Sequence, residues 1–304
     1  MKFCRLLLAA LLAAAFPAAA QTPVPTQAKP HVVATFSILG NLVAEIAGDR
    51  VDLAVLVGPD TDAHTYQPKP TDARTVAEAQ ALVSNGLGFE GWMDRLAKAA
   101  AFTGRAIVAT QGVPTLEAAA DGGHRHAHDI DPHCWQDVSR VRRYVGNIAE
   151  GLAAADASNA AYYRERARAY DQRLAELDAW IRAEIAKVPS AQRKAIVGHD
   201  SFRYFGQAYG VQFEAARAYT TDSEPSARDI AQLIRLVREQ KIKALFIENM
   251  TNPSLVDQIA REAGGVVGPR LYSDALSAAG GPAATYEAMM RHNVAALVAG
   301  MLKN

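Results

Sequence analysis

Cysteine is almost missing from this 304-residue chain: Cys4 and Cys134 are the two. Cys4 precedes an N-terminal apolar run and leaves Cys134 without a partner, so no internal disulfide framework is available and stability must come from core packing. Net charge is missing as well. The 32 Lys and Arg balance the 32 Asp and Glu, with no basic stripe, which excludes the electrostatic footprint of nucleic-acid binding. Long apolar segments are also lacking, because Leu6–Phe16 is too short to span a bilayer. There is no internal repeat, no His-Glu-x-x-His helix and no Gly-x-Ser-x-Gly elbow, so the common signatures of zinc peptidases and serine hydrolases are absent.

What is present begins with Lys2 and Arg5, the apolar run, and then Pro17-Ala18-Ala19-Ala20. This order is that of a secretory signal peptide over residues 1–20, cut after Ala20, with a flexible leader over residues 21–30. No cysteine stands directly after the run to take a lipid, so the mature chain is expected to be soluble. Half of the residues are hydrophobic, enough for a large core and, at this length, about two domains.

From His31 onward, strand and helix patterns alternate. Strands are expected at His31–Phe36, Val51–Val57, Ala81–Asn85, Ala106–Ala109, Lys194–Val197, Val211–Ala215, Lys243–Ile247 and Val266–Leu271. Such alternation favours parallel sheets. Between the two series, Tyr163, Tyr170, Leu174, Leu177, Ile181 and Ile185 recur at helical spacing, predicting one helix from Asn159 to Val188, capped by Ser158 and stopped by Pro189. At 1.5 Å per residue it is about 45 Å long, the span of two small domains. The expected organisation is an N-terminal α/β domain (31–157), a linking backbone helix (158–188) and a C-terminal α/β domain (189–304).

Open parallel sheets bind ligands just beyond the carboxyl ends of their strands. Four metal-competent residues fall there. His64 lies in the long Gly58–Pro70 loop, His133 in the loop after Ala106–Ala109, His199 two residues past Lys194–Val197, and Asp274 three residues past Val266–Leu271. Two come from each half, which places an ion in the interdomain cleft. Three imidazoles and one carboxylate complete a tetrahedral Zn2+ set with no position left for water, favouring capture over catalysis. Asp62 and Asp131, each two residues before its histidine, are placed to orient the imidazoles.

Several separated motifs then fall in one order: Val33-Ala34-Thr35-Phe36; Gly58-Pro59-Asp60 with His64 and Pro68; Asp131-Pro132-His133 with Trp135; Gly198-His199-Asp200-Ser201-Phe202 with Tyr204-Phe205; and Tyr272-Ser273-Asp274-Ala275-Leu276. In these the sequence resembles the cluster A-I solute-binding proteins, which deliver zinc or manganese to ABC importers, from about His31 to Leu302. The resemblance implies two parallel-sheet α/β domains joined by one long rigid helix, a metal in the cleft, and His64, His133, His199 and Asp274 as its ligands. In manganese-type members the third ligand is usually a glutamate, so His199 favours zinc, which suits imidazole, over manganese, which suits hard carboxylate oxygen.

The resemblance also implies a monomeric, non-enzymatic periplasmic receptor whose partner is a membrane permease, with a periplasmic metal-donating protein as a further candidate partner. Glu248 is the second choice for the carboxylate ligand. Within the family it is expected to line the cleft, paired to backbone or to Arg217. Asp222 and Glu224 are expected to cap the helix that starts near Ser226, and Cys134 to be a small buried hydrophobe rather than a fifth ligand. His124, His126 and His128 resemble a shortened histidine-rich loop, either an accessory loop that gathers Zn2+ or a polar connector. The competing readings are a manganese receptor of the same family, a secreted zinc-dependent hydrolase with Glu248 as its base, and a surface adhesin or scaffold, against which the missing anchor cysteine speaks.

Overall fold

Val32, Val33, Ala34 and Phe36 are all buried, the pattern of a strand covered on both faces as parallel sheets require. This strand, β1 (His31–Phe36), lies between β2 (Asp52–Val57) and β3 (Ala81–Ser84), with β4 (Arg105–Val108) outermost, in the all-parallel order β2-β1-β3-β4. The second half repeats the plan. β5 (Lys194–His199) is flanked by β6 (Gln212–Arg217) and β7 (Ala244–Leu245), and β8 (Val266–Val267) completes the parallel order β6-β5-β7-β8. In both sheets the first strand is internal, so each has a topological switch point at its carboxyl edge. The structure, a computed structural model, describes residues 28–118, 130–217, 221 and 226–304. The expected signal peptide, most of the leader, the three loop histidines, Asp222 and Glu224 lie outside the described residues.

The helices among the described residues are α1 (Ser37–Ala47), α2 (Pro70–Ala77), α3 (Met93–Ala99), α4 (Val138–Ala155), α5 (Ala160–Ala186), α6 (Arg203–Tyr209), α7 (Ala227–Gln240), α8 (Ser254–Ala263) and α9 (Tyr286–Met301). None is long and apolar enough to cross a membrane. The periodic residues expected of the long helix, Tyr163 through Ile185, form the buried face of α5. That face packs on α1 and α4 in the first half and on α6 and α9 in the second. Arg173 on α5 pairs with Glu45 of α1 and lies 3.4 Å from Glu287 of α9. One apolar core therefore runs from β1 through α5 to α9.

Two local expectations are corrected. Ser158 does not cap the long helix. Its hydroxyl donates to Asp156 at 2.5 Å, and Asp156 also accepts from Asn159 at 2.7 Å and from the Tyr163 hydroxyl at 2.7 Å, since a carboxylate has more acceptor sites than a hydroxyl. Residues Ala157–Asn159 form a 3-10 turn there, and α5 starts after it. The last strand shortens to Val266–Val267, with Pro269 unable to donate to a ladder; Leu271 returns only as an isolated bridge to Glu248. The N-cap of α7 is Ser226, in a reciprocal box with Asp229; Asp222 and Glu224, expected to cap this helix, lie outside the described residues.

Leu174, fully buried on α5, tests this backbone. Leu174→Ala is expected to cost about 3 kcal/mol through lost burial and a residual cavity, measured by urea unfolding of the metal-free protein; an unchanged midpoint would contradict the packing described.

Candidate metal centre

β5 runs two residues further than the pattern of its sequence suggested, so His199 is its last residue and projects from the carboxyl edge of the second sheet. Asp274 follows the Glu248–Leu271 bridge, beside β7. His64 comes from the loop after β2, and His133 opens a 3-10 turn, Cys134–Gln136, that leads into α4. The structure brings all four together: one ligand atom from each lies within 4.8 Å of the others. His64 Nε2 is 3.3 Å from His133 Nε2 and 3.4 Å from Asp274 Oδ2. His199 Nε2 is 2.9 Å from Asp274 Oδ2, and His133 Nε2 is 3.7 Å from Asp274 Oδ1. Donors at the corners of a tetrahedron around Zn2+ stand about 3.3 Å apart when each is about 2.0 Å from the ion. These four spacings, 2.9–3.7 Å, lie on either side of that value, within a cluster that extends to 4.8 Å. Asp274 Oδ1 is buried with no hydrogen-bond partner, an open acceptor 3.7 Å from His133 Nε2.

Two of the imidazoles are oriented from behind by carboxylates. Asp131 Oδ1 accepts the His133 backbone N–H at 3.0 Å and lies 2.8 Å from Nδ1. Glu248 Oε2 contacts His199 Nδ1, while its Oε1 accepts the Gly198 N–H at 2.7 Å. Each contact holds Nδ1 and turns Nε2 inward. Glu248, the second candidate for the fourth position, thus sits on the far side of His199 and outside the four-residue cluster; the side chain of Arg217 lies outside the described residues. Asp62, expected to orient His64, instead accepts that residue's backbone N–H at 2.8 Å and the Thr221 hydroxyl at 2.5 Å. Cys134 is buried, and burial pushes its thiol up to about 11, so it stays protonated outside the cluster. His124, His126 and His128 are outside the described residues.

Residues 32–300 match a family profile described as "ZnuA: Zinc-uptake complex component A periplasmic". The chain belongs to this family. Among relatives of this ZnuA-family chain, the manganese-binding lipoprotein MntA of Halalkalibacterium halodurans is 32% identical over 270 residues, 89% of this chain and 88% of that one. The iron-binding protein YfeA of Yersinia pestis is 28% identical over 282 residues, 93% of this chain and 89% of its own. The structure of the periplasmic zinc-binding protein TroA of Treponema pallidum superposes with a TM-score of 0.84 at 30% identity, covering 90% of this chain and 99% of TroA. The ZnuA-family chain is therefore a metal-binding extracytoplasmic receptor of the ABC-importer type, built as two parallel-sheet α/β domains with the candidate metal residues in the cleft. Manganese, iron and zinc all occur in the names of its relatives, so kinship leaves its metal open.

Electrostatics of the ZnuA-family site follow from four groups enclosed together. Burial alone would raise the Asp274 carboxyl, but the His199 and His133 imidazoles outweigh it and hold it well below the usual range. Burial would likewise lower His133, yet Asp274 and Asp131 raise it to about 9, and Glu248 and Asp274 raise His199 well above its ordinary value. Without an ion, protons on these imidazoles balance the carboxylates. A cation bound among them would take over that role and release the protons. For His133 the pairing contributes fully below its ordinary 6.5 and is lost as pH rises through about 9. Metal-free protein held in chelator should accordingly lose thermal stability between those two pH values, and saturating Zn2+ should abolish the loss; a flat or rising profile in chelator would contradict the ion-pair picture.

Proposed function

We propose that the chain captures Zn2+ as cargo, with His64, His133, His199 and Asp274 as its four ligands, and presents it to the membrane permease of an ABC importer. The observation carrying this reading is the convergence of three imidazole nitrogens and one carboxylate at tetrahedral spacing in a buried site. Zn2+ accepts four such donors in that geometry, whereas Mn2+ favours more oxygens and a larger coordination number. The four donors fill the tetrahedron, which suits capture and later release. A hydrolase would need Glu248 as base, and that carboxylate is engaged by His199 Nδ1 and the Gly198 N–H. A manganese receptor is the second reading, favoured by the manganese-binding names of relatives at 32% and 30% identity.

In this proposal residues 31–157 and 189–304 are the two domains, carried on the helix at 158–188, and the ion adds a further link between them. The chain is exported by the segment over residues 1–20, cut after Ala20, and acts in the periplasm as a soluble monomer. The loop with His124, His126 and His128 gathers Zn2+ or docks a metal-donating protein. Deleting residues 121–128 should then lower zinc loading from a protein-bound supply, and unchanged loading would refute that role.

Titration of the metal-free protein with Zn2+ and Mn2+, following bound metal and thermal shift, tests the cargo. One Zn2+ per chain is expected, at least about 100-fold tighter than Mn2+ and lost on His199→Ala. Equal or tighter binding of Mn2+ would replace zinc by the manganese reading, and turnover of a hydrolysable substrate dependent on Glu248 would remove the receptor reading altogether.

A further inference from the structure

His64 is held in a different way from the other two imidazoles of the cluster. Asp131 serves His133 and Glu248 serves His199, but the carboxylate nearest His64 in sequence, Asp62, is spent on backbone and on Thr221. The His64 ring instead meets Phe89 in a T-shaped contact, with centroids 4.6 Å apart and planes at 72°. Phe89 is 1% exposed and wedged against Phe36 at 4.9 Å and Trp135 at 4.8 Å, so its own position is fixed.

The backbone that delivers Phe89 is unusual. Gly86, Leu87 and Gly88 have φ of 85°, 57° and 79°, three consecutive residues in the left-handed region, and for Leu87 that conformation is costly. Glu90 holds it. One carboxylate oxygen accepts from Thr35 Oγ1 at 2.6 Å and the Asn85 N–H at 2.7 Å, and the other accepts the Gly86 N–H at 3.2 Å. Asn85 Nδ2 then donates to the Pro132 carbonyl at 3.0 Å, tying the same turn to the segment that carries His133. A buried carboxylate with no place among the four converging groups thus closes a strained turn behind two of them. Strain of this kind persists only where the surroundings over-determine it, and it gathers at functional sites.

We propose that Phe89, set by the Glu90 clamp, is the positioning residue of His64, doing by ring contact what Asp131 and Glu248 do by hydrogen bonding. The proposal rests on the reading of His64 as a ligand. A ring contact fixes the plane of an imidazole but neither selects its tautomer nor raises its basicity, as a carboxylate on Nδ1 does. His64 is then the least firmly held of the three imidazoles and the first to leave when cargo is released.

Phe89→Leu and Glu90→Gln, each made with His64 intact and with His64→Ala, separate positioning from general packing. Zn2+ affinity is read by chelator competition, zinc release by stopped flow, and integrity of the fold by thermal unfolding of the metal-free protein. With His64 intact each change should weaken Zn2+ by about 10-fold and speed its release, the low end for a lost ligand-orienting partner. With His64→Ala, Phe89→Leu should cost less than about 2-fold and Glu90→Gln should keep only the part of its loss that passes through Asn85 to the His133 segment, while Asp131→Asn, acting on His133, should cost the same in both backgrounds. Equal losses for Phe89→Leu with and without His64, or no loss with it, overturn the proposal alone. An unmodified chain that binds no divalent ion, or a His64→Ala variant that binds as tightly as the unmodified one, overturns the ligand reading and this proposal with it.

Discussion

A fully buried carboxylate facing three imidazoles is the constraint around which this molecule is arranged. Asp274 lies within 3.7 Å of His64, His133 and His199, and a charge so enclosed costs several kcal/mol unless a partner neutralises it. Protons on the imidazoles or a divalent cation can fill that role. Much of the surrounding structure serves to keep the four groups within reach of one another. The Ser273 carbonyl, next to Asp274, accepts from Trp135 Nε1 at 2.8 Å and Gln136 Nε2 at 2.9 Å, and the Tyr204 hydroxyl donates to the Asp131 carbonyl at 2.7 Å. The Asp60 side chain accepts from Asn249 at 2.8 Å across the same cleft. The loops of the two halves are thus bonded to each other by contacts that need no ion, and an ion adds to a partly assembled site.

Much of this was legible in the sequence because it follows from local rules. Buried, β-branched runs mark parallel strands, the 3.6-residue stripe from Tyr163 to Ile185 marks the long helix, and the carboxyl-edge rule applied to those strands points at His64, His133, His199 and Asp274. What stayed hidden depends on tertiary choice between similar neighbours. Ser158 and Asp156 both suit a helix start, and the carboxylate wins by collecting three donors. Asp62 and Asp131 occupy the same place before their histidines, yet only Asp131 turns its side chain onto the ring. Glu90 and Phe89 carry no motif a single sequence would flag; the hint was a Gly-Leu-Gly-Phe-Glu-Gly run after a strand, with a carboxylate set among apolar residues.

The fold itself does not choose the metal. Relatives named for manganese, iron and zinc align with this chain over most of their length. Selectivity has to come from the donor set and from how firmly each donor is held, as function generally resides in sites carried by folds. In this chain that means a histidine at the end of β5, a single carboxylate within the cluster, and carboxylates elsewhere, Asp131 and Glu248, turned to the backs of imidazoles.

X-ray absorption at the zinc edge of the loaded protein addresses the donor set most directly. A four-coordinate shell of nitrogen and oxygen at about 2.0–2.1 Å is expected, with the outer-shell scattering of three imidazoles. A sulfur scatterer at about 2.3 Å, which would bring in Cys134, or a six-coordinate oxygen-rich shell would contradict it.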